Sequence, residues 1–352
     1  MRNKKILVAV LNWGLGHATR CIPIICELES QNFEVILASD GDALLLLKKE
    51  FPHLRTYSLP SYNIRYSKTS LFFTWKILRQ TPHILRTIKE ENKVIETLIE
   101  KENIAGVISD NRWGAYSKKI NSVIITHQLN VISGATTFIS SKIQQKQLGN
   151  FEECWVPDVE GENNLSGRLG HLRTKKLKIN YLGIISRFKK QEELLSIDIL
   201  IILSGPQPQR EILENKLLKE FKSFKGNVIM VRGIVESQQI IERKEHITCY
   251  NYMKSEELET FLNISKLVIS RSGYTTLLDL TKLQKKAFFI PTPGQPEQEY
   301  LAARLKKLNI ANSCKQKDFN LKMLETNDNY SGLVGFNGSC DLGSFFTLFQ
   351  SE

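Results

Sequence analysis

Cysteine is scarce in this chain and shows no pairing pattern. The six residues (Cys21, Cys26, Cys154, Cys249, Cys314, Cys340) are scattered and form no CxxC. That argues against a disulfide framework and a thiolate metal site, and for reduced thiols in a cytosolic protein. Long hydrophobic runs are missing too: ALLLL at 43–47 and ILIIL at 199–203 are far too short to span a bilayer. The start, MRNKKILVAVL, has the charge and apolar onset of a short signal peptide but runs into a glycine turn instead of a cleavage site. Low-complexity tracts and internal repeats are absent, which excludes disordered and fibrous classes. With no zinc-finger spacing, aromatic–basic RNA signature or helix-turn-helix, nucleic acid is not an expected partner. No compact His/Cys/carboxylate cluster suggests a metal, and none is expected.

What is present is length, positive charge and alternation. A chain of 352 residues has room for two domains, and a formal charge of +11 suits an anionic membrane surface or a phosphorylated substrate. Strand-like runs alternate with helix-length patterns throughout, the signature of parallel sheets covered on both faces. The first series is 5–10, 33–39, 54–59, 104–109, 122–127 and 154–158; the second is 198–203, 227–232, 246–250, 266–270 and 286–291. The expected organisation is a first domain over 1–160, a polar, glycine-bearing linker over 161–180 and a second domain over 181–326. A motif-free tail, 327–352, is expected to cross back to the first domain. The fold class is α/β, with two Rossmann-like doubly wound domains facing an interdomain cleft, since such sheets bind ligands at strand C-terminal ends.

The most informative stretch is SRSGYTTLLDL at 270–280, followed by FFIPTPGQPEQEYLA at 288–302. A short β-branched run stops at a small turn, and a helix pattern begins near Gly273. Unpaired amides and the dipole favour an anion there. Ser272, Gly273 and Thr275 are placed to hold a diphosphate, and Asp279, about 9 Å further along the axis, to meet a ribose hydroxyl pair. Gln295, Glu297, Gln298 and Glu299 follow the next strand and are groups of the kind that read a sugar. The plain alternative is a strand–turn–helix unit capped by Thr275 or Ser272.

A second glycine turn, NWGLGHATR at 12–20, follows the first strand. Gly14 and Gly16 permit a tight turn and close approach to a ligand, and His17 falls at a helix N-terminus, where imidazolium is disfavoured and a neutral base favoured. Thr19 stands where a dinucleotide fingerprint needs its third glycine, although Asp40 is placed where a cofactor-ribose acid would sit. A purely structural turn is the remaining reading. LSGPQPQR at 203–210 is a third turn, with Ser204, Gly205 and Arg210 as further phosphate contacts and prolines that remove donors. Arg271 is either a phosphate contact or a structural ion-pair former.

Jointly, the turns at 14–17 and 270–302 resemble glycosyltransferase family 28, which includes an N-acetylglucosaminyltransferase of lipid-linked peptidoglycan precursors. The resemblance is strongest at 5–30 and 264–305 and stops near 327. It implies the glycosyltransferase-B architecture, an acceptor-side first domain and a nucleotide-sugar donor domain second. It also implies a UDP-linked sugar as co-substrate with no other cofactor, and a hexosyl transfer in which His17 deprotonates the acceptor hydroxyl. Asp279 stands where the family usually has Glu and should still reach a ribose; Glu299 stands where the family has Gln, and that change points to a different sugar. GLGHATRC is also similar to a nucleotide-sugar hydrolase of pseudaminic-acid synthesis, so a hydrolase or epimerase is the same-fold alternative. A non-catalytic sugar-nucleotide binder and a membrane scaffold are alternatives from other classes.

Further candidates follow strands of the first half. Asp110 is a second base or the group that orients His17; Arg112, His127 and Gln128 are acceptor-side contacts. Asp110 and Asn111 are equally suited to capping a helix. Asp40–Gly41–Asp42 spells DxD, better explained by capping than by a metal. The segment 68–79, KTSLFFTWKILR, is either a core helix or a basic-flanked face for peripheral membrane contact with a lipid-linked or glycan acceptor. The second option would put the protein at the cytoplasmic face of the plasma membrane.

Overall fold

A computed structural model of the chain describes residues 3–62, 73–132, 137–172, 176–205, 207–234, 236–336 and 341–350, with the side chains of 73–81 outside that set. The chain divides into two compact units, Met1–Ile185 with Asn337–Glu352, and Ser186–Phe336.

In the first unit the strands are β1 (Lys5–Val10), β2 (Glu34–Ser39), β3 (Arg55–Ser58), β4 (Ile104–Asp110), β5 (Asn121–Ile125), β6 (Glu153–Val156) and β7 (Ile179–Tyr181). They form a seven-stranded sheet in the order β3-β2-β1-β4-β5-β6-β7, parallel throughout. Helices α1 (Gly16–Ser30), α2 (Gly41–Glu50), α3 (Phe73–Glu102) and α4 (Thr137–Leu148) make the crossovers. Because both faces are covered, β1 reads as a nearly continuous apolar run rather than an alternation. Leu7, Ala9, Ile36, Ala38 and Val107 meet Ile95, Leu98 and Ile99 of α3 in one core layer.

The second unit repeats the plan with β8 (Ile197–Ile202), β9 (Val228–Val231), β10 (Ile241–Lys244), β11 (Ile247–Tyr250), β12 (Ser265–Ser270), β13 (Lys286–Phe289) and β14 (Asn312–Ser313). The order is β10-β11-β9-β8-β12-β13-β14. Only the edge strand β10 is antiparallel, and its exposed IERK sequence protects that edge with charge. The accompanying helices are α5 (Gln209–Phe221), α6 (Ser255–Asn263), α7 (Tyr274–Lys282) and α8 (Pro296–Lys307). Leu213, Leu217 and Phe221 of α5 pack with Ile201, Met230, Ile269, Phe288 and Phe319.

Two expectations about organisation need correction. The stretch 161–180 is not a linker. Leu165 and Leu169 are fully buried, Leu172 and Leu177 join the core around Ile124 and Cys154, and β7 extends the sheet beside β6. Its polar sequence conceals an organised turn. The buried carboxylate of Asp158 accepts from the amides of Val159 (2.8 Å), Leu165 (2.9 Å) and Ser166 (2.8 Å), so the loop backbone is satisfied without a strand or helix. The tail also divides: 327–336 stay with the second unit, and 337–352 join the first. There α9 (Leu342–Phe345) and the turn after it bring Phe346 and Phe349 against Trp155, at centroid distances of 6.1 Å each. Any side chain at Gly106 would collide with the Phe349 ring, so that close approach demands glycine.

Among the described residues no helix is long and apolar enough to cross a membrane. The proposed membrane segment 68–79 lies outside the described side chains, although the backbone is helical from Phe73 as the start of α3.

Candidate active site

Both sheets have a topological switch point, between β1 and β4 in the first unit and between β8 and β12 in the second. At such a point adjacent connections leave in opposite directions and open a crevice at the strand C-termini. The glycine turns with which the candidate residues were identified lie there.

In the first unit, Leu11–Leu15 link β1 to α1, with Gly14 at φ +75° where an L side chain would be strained. Gly16 opens α1 and His17 is its second residue. Asp110 ends β4 directly beside Val10 of β1. His17 Nδ1 lies 2.6 Å from Asp110 Oδ1. Arg20, one turn along α1, donates from Nε to Asp110 Oδ2 and from Nη2 to Asp110 Oδ1, both at 2.5 Å. Its Nη1 approaches His127 Nδ1 at 3.0 Å, just beyond β5, and Cys21 Sγ donates to Asp110 Oδ2 at 3.3 Å. Asp110 and Arg20 are buried, whereas the His17 side chain keeps 13% of its exposure and is the member that reaches the surface.

The electrostatics follow from burial and from these contacts. Burial alone would raise the Asp110 carboxyl, but Arg20 and then His17 outweigh it and hold that carboxyl well below the usual range. Burial lowers His17 below its ordinary value, Arg20 lowers it further, and Asp110 opposes them. The imidazole is therefore neutral at pH 7, as a general base requires. With Nδ1 turned to the carboxylate, Nε2 is the nitrogen left for a substrate proton.

Arg112 does not join this group, contrary to the acceptor-side expectation. It is fully buried and pairs its Nε with Glu91 Oε1 and its Nη1 with Asp40 Oδ1 (2.7 Å), while Nη2 donates to the Pro60 carbonyl (2.5 Å). Tyr62 and the Gly114 amide donate to Glu91 Oε2 at 2.5 and 2.8 Å. This knot ties β1, β2, α3 and the end of β4 together. It also corrects the reading of Asp40, whose carboxylate binds Arg112 and accepts from Asn12 Nδ2 (3.3 Å) and makes no capping bond to α2. Gln128 accepts through its backbone carbonyl from Gln144 of α4 at 3.0 Å.

In the second unit, Gly273 is the N-cap of α7 and has no side-chain cap. The Ser272 hydroxyl is not directed outward. It is buried and donates to the Gln298 carbonyl at 2.7 Å, fastening the turn after β12 to α8. Arg271 departs from its ion-pair reading, because among the described residues no carboxylate pairs with it. It is 1% exposed and donates to the carbonyls of Ile290 (2.9 Å), Pro291 (3.1 Å) and Gln209 (3.0 Å) and to Gln316 Oε1 (2.6 Å). Burial pulls its guanidinium down to about 10. Gln298 and Glu299 shape their own turn, accepting from the amides of Thr292 (2.8 Å) and Gly294 (3.1 Å), and Gln298 Nε2 donates to Gln295 Oε1 (2.6 Å). Ser204 and Gly205 are exposed beyond β8, with Gly205 at φ +95° and Pro206 outside the described residues. Arg210 Nη1 donates to the Gly233 carbonyl at 2.9 Å. Thr275, in the first turn of α7, is half-buried. Asp279, five residues into α7, accepts from Ser186 Oγ at 2.6 Å, and burial pushes its carboxyl up to about 6 against the pull of Arg187.

Sequence reasoning missed Arg20 and Glu91. Arg20 was findable, because a residue three positions after His17 shares its helix face. Glu91 stood inside a charge-rich helix with no local signal. Among the described residues no group of three or more His, Cys, Asp or Glu could hold a metal ion.

Residues 199–327 match the glycosyltransferase family 28 C-terminal domain. A UDP-N-acetylglucosamine--N-acetylmuramyl-(pentapeptide) pyrophosphoryl-undecaprenol N-acetylglucosamine transferase of Clostridium tetani is 26% identical over 299 residues, 82% of this chain and 78% of that protein. The enzyme of the same name from Haemophilus ducreyi is 21% identical over 331 residues, 92% of this chain and 88% of its own. Among solved structures, Acinetobacter baumannii MurG superposes with a TM-score of 0.58 at 13% identity, covering 99% of both chains. CalG4, the calicheamicin glycosyltransferase, gives 0.62 at 11% identity, covering 94% of this chain and 90% of its own. The chain is a glycosyltransferase of the two-domain GT-B fold, and its residues 199–327 are a glycosyltransferase family 28 C-terminal domain.

Proposed function

We propose that the protein transfers a hexosyl group from a UDP-sugar to a hydroxyl of a lipid-linked acceptor, with His17 as the base. The acceptor O–H proton passes to His17 Nε2, a bond forms between that oxygen and the anomeric carbon, and the bond from that carbon to the diphosphate breaks to release UDP. The observation that carries this reading is the 2.6 Å contact of His17 Nδ1 with a fully buried Asp110. It gives a neutral imidazole with one nitrogen anchored and one available. Asp110 orients His17 and is not itself the base, because its carboxylate is held by Arg20.

In the donor unit the amides at the start of α7, from Gly273 to Thr275, bind the diphosphate, Asp279 the ribose, and Gln295, Gln298 and Glu299 the sugar. The helix N-terminus offers positive potential to the leaving group, so the reading calls for no metal. Donor and acceptor classes are those in the names of the two bacterial relatives. A lipid-linked acceptor suits a peripheral membrane protein. On α4, Phe138, Ile139 and Ile143 are exposed (69%, 60% and 43%), with Lys142 Nζ 4.3 Å from the Phe138 ring centre. That face fits an anionic bilayer.

Calorimetric titration with UDP-N-acetylglucosamine and a panel of UDP-, GDP- and dTDP-sugars, for wild type and Asp279→Ala, tests the donor half. Binding that selects a UDP-sugar and weakens in the variant supports it, and no binding to any nucleotide sugar overturns it. UDP release that is rapid without acceptor, and unaffected by a lipid-linked muramyl acceptor, would make water the acceptor and the protein a hydrolase.

A further inference from the structure

Arg20 does more than neutralise a buried acid. Its fork grips both oxygens of Asp110, Nε on Oδ2 and Nη2 on Oδ1, so the carboxylate cannot rotate. The same Nη2 also lies 2.9 Å from His17 Nδ1, and Nη1 lies 3.0 Å from His127 Nδ1. These contacts set a choice for His17. If Nδ1 carried no proton, it would accept from Nη2 at 2.9 Å, but its lone pair would also face the Asp110 oxygen at the shorter 2.6 Å, which is repulsive. If Nδ1 carries the proton, it donates to that oxygen in a charge-assisted bond, and Nη2 and Nδ1 converge on one acceptor. The second arrangement is favourable and leaves Nε2 unprotonated.

We infer that Arg20 is a positioning residue of this site: by clamping Asp110 it fixes the His17 tautomer with the proton on Nδ1 and the lone pair on Nε2. This rests on the reading of His17 as base but concerns a property measurable without any substrate. The charged and titratable groups facing His17 are Arg20 on its own helix, Asp110 at the end of β4 and His127 beyond β5, with Cys21 of α1 on the far oxygen of Asp110. Of these, Arg20 and His127 disfavour imidazolium and Asp110 favours it. Removing the guanidinium therefore leaves the carboxylate to act alone on the ring.

The test is long-range ¹H–¹⁵N correlation NMR on the full chain labelled at histidine nitrogens, titrated from pH 5 to 8. Signals are assigned with His17→Gln and His127→Gln. In wild type, His17 is expected with protonated Nδ1, unprotonated Nε2 and a midpoint below that of free histidine. In Arg20→Met the midpoint should rise by roughly one pH unit or more. In Arg20→Lys, which keeps the charge but loses the fork, the tautomers should mix while the midpoint moves less. A wild-type His17 protonated on Nε2 overturns the inference, and so does an unchanged tautomer and midpoint in folded Arg20→Met. Should Arg20→Met fail to fold, Arg20→Lys decides: a His17 spectrum identical to wild type overturns the inference. A failure of nucleotide-sugar binding would count against the transferase reading and leave these signals untouched.

Discussion

The two switch points share a topology and are built from opposite materials. In the first unit, formal charges are packed and cancelled: Arg20 against Asp110, and Arg112 against Glu91 and Asp40. In the second, the comparable arginine, Arg271, is as deeply buried but meets only carbonyls and an amide oxygen, and among the described residues no carboxylate pairs with it. The difference matches the two proposed tasks. A base must keep one tautomer in a site shielded from water, which calls for compensated charges in fixed geometry. A diphosphate site gains from positive potential that nothing nearby has cancelled. A guanidinium bonded to neutral acceptors keeps its field; in Arg271 both Nη atoms are hydrogen-bonded and the buried Nε has no partner among the described residues.

Four experiments would break or sharpen this contrast. The largest effect is expected for His17→Gln: a fall in kcat for sugar transfer of about 10²–10⁴-fold with donor affinity retained, read by UDP release beside calorimetry. Equal loss of donor affinity would assign His17 to binding. Next is the charge knot, where Glu91→Ala should destabilise folding by about 3–5 kcal/mol, since Arg112 would be left buried with only part of its compensation. Denaturant unfolding measures this, and an unchanged midpoint would remove the knot from the account of the first unit. Third, Asp279→Ala should weaken UDP-N-acetylglucosamine binding by about 10–100-fold, the worth of hydrogen bonds to a charged group, without altering stability comparably.

The smallest effect is in pH. Asp279 is raised to about 6 in the folded protein, so it is protonated below that value and loses acceptor capacity for a ribose. Donor affinity should decline as pH falls through 6, by up to about tenfold per unit, and the decline should vanish in Asp279→Asn. UDP-N-acetylglucosamine suits the measurement because its diphosphate does not titrate in this range. The stability linkage has the same origin. A carboxyl whose folded value lies above its unfolded one stabilises the fold below the unfolded value, and that contribution is lost as pH rises through about 6. His17 has the reverse sense: its lowered value makes folding less favourable as pH drops below the ordinary histidine range.

Much of the architecture could be read in the sequence because buried parallel strands are short, apolar and regularly spaced. KILVAV at β1 and KLVIS at β12 fall within a residue of their observed bounds. The strands that escaped notice, β7, β10 and β14, are edge or near-edge strands of two to four residues without an apolar run. The linker reading failed for a related reason: Asp158 satisfies a loop with side-chain acceptors, and composition does not distinguish that from a loop left to water. At the sites, glycine turns pointed to His17 and Gly273. Arg112 was misread, because a guanidinium that contacts ligand and one that braces a loop look alike until their acceptors are known.

What the sequence determined by itself was local: the strand and helix periods, the turns that only glycine permits, a histidine at a helix start and an acid further along another helix. Periodicity and backbone sterics act over a few residues, so they are written in the chain directly. Which charges meet was decided by the tertiary fold. Asp110 lies 93 positions from His17 and 90 from Arg20, and parallel pairing of β1 with β4 places them within hydrogen-bonding distance. Pairings of that kind depend on strand order and on desolvation, which exist only once the sheet has formed.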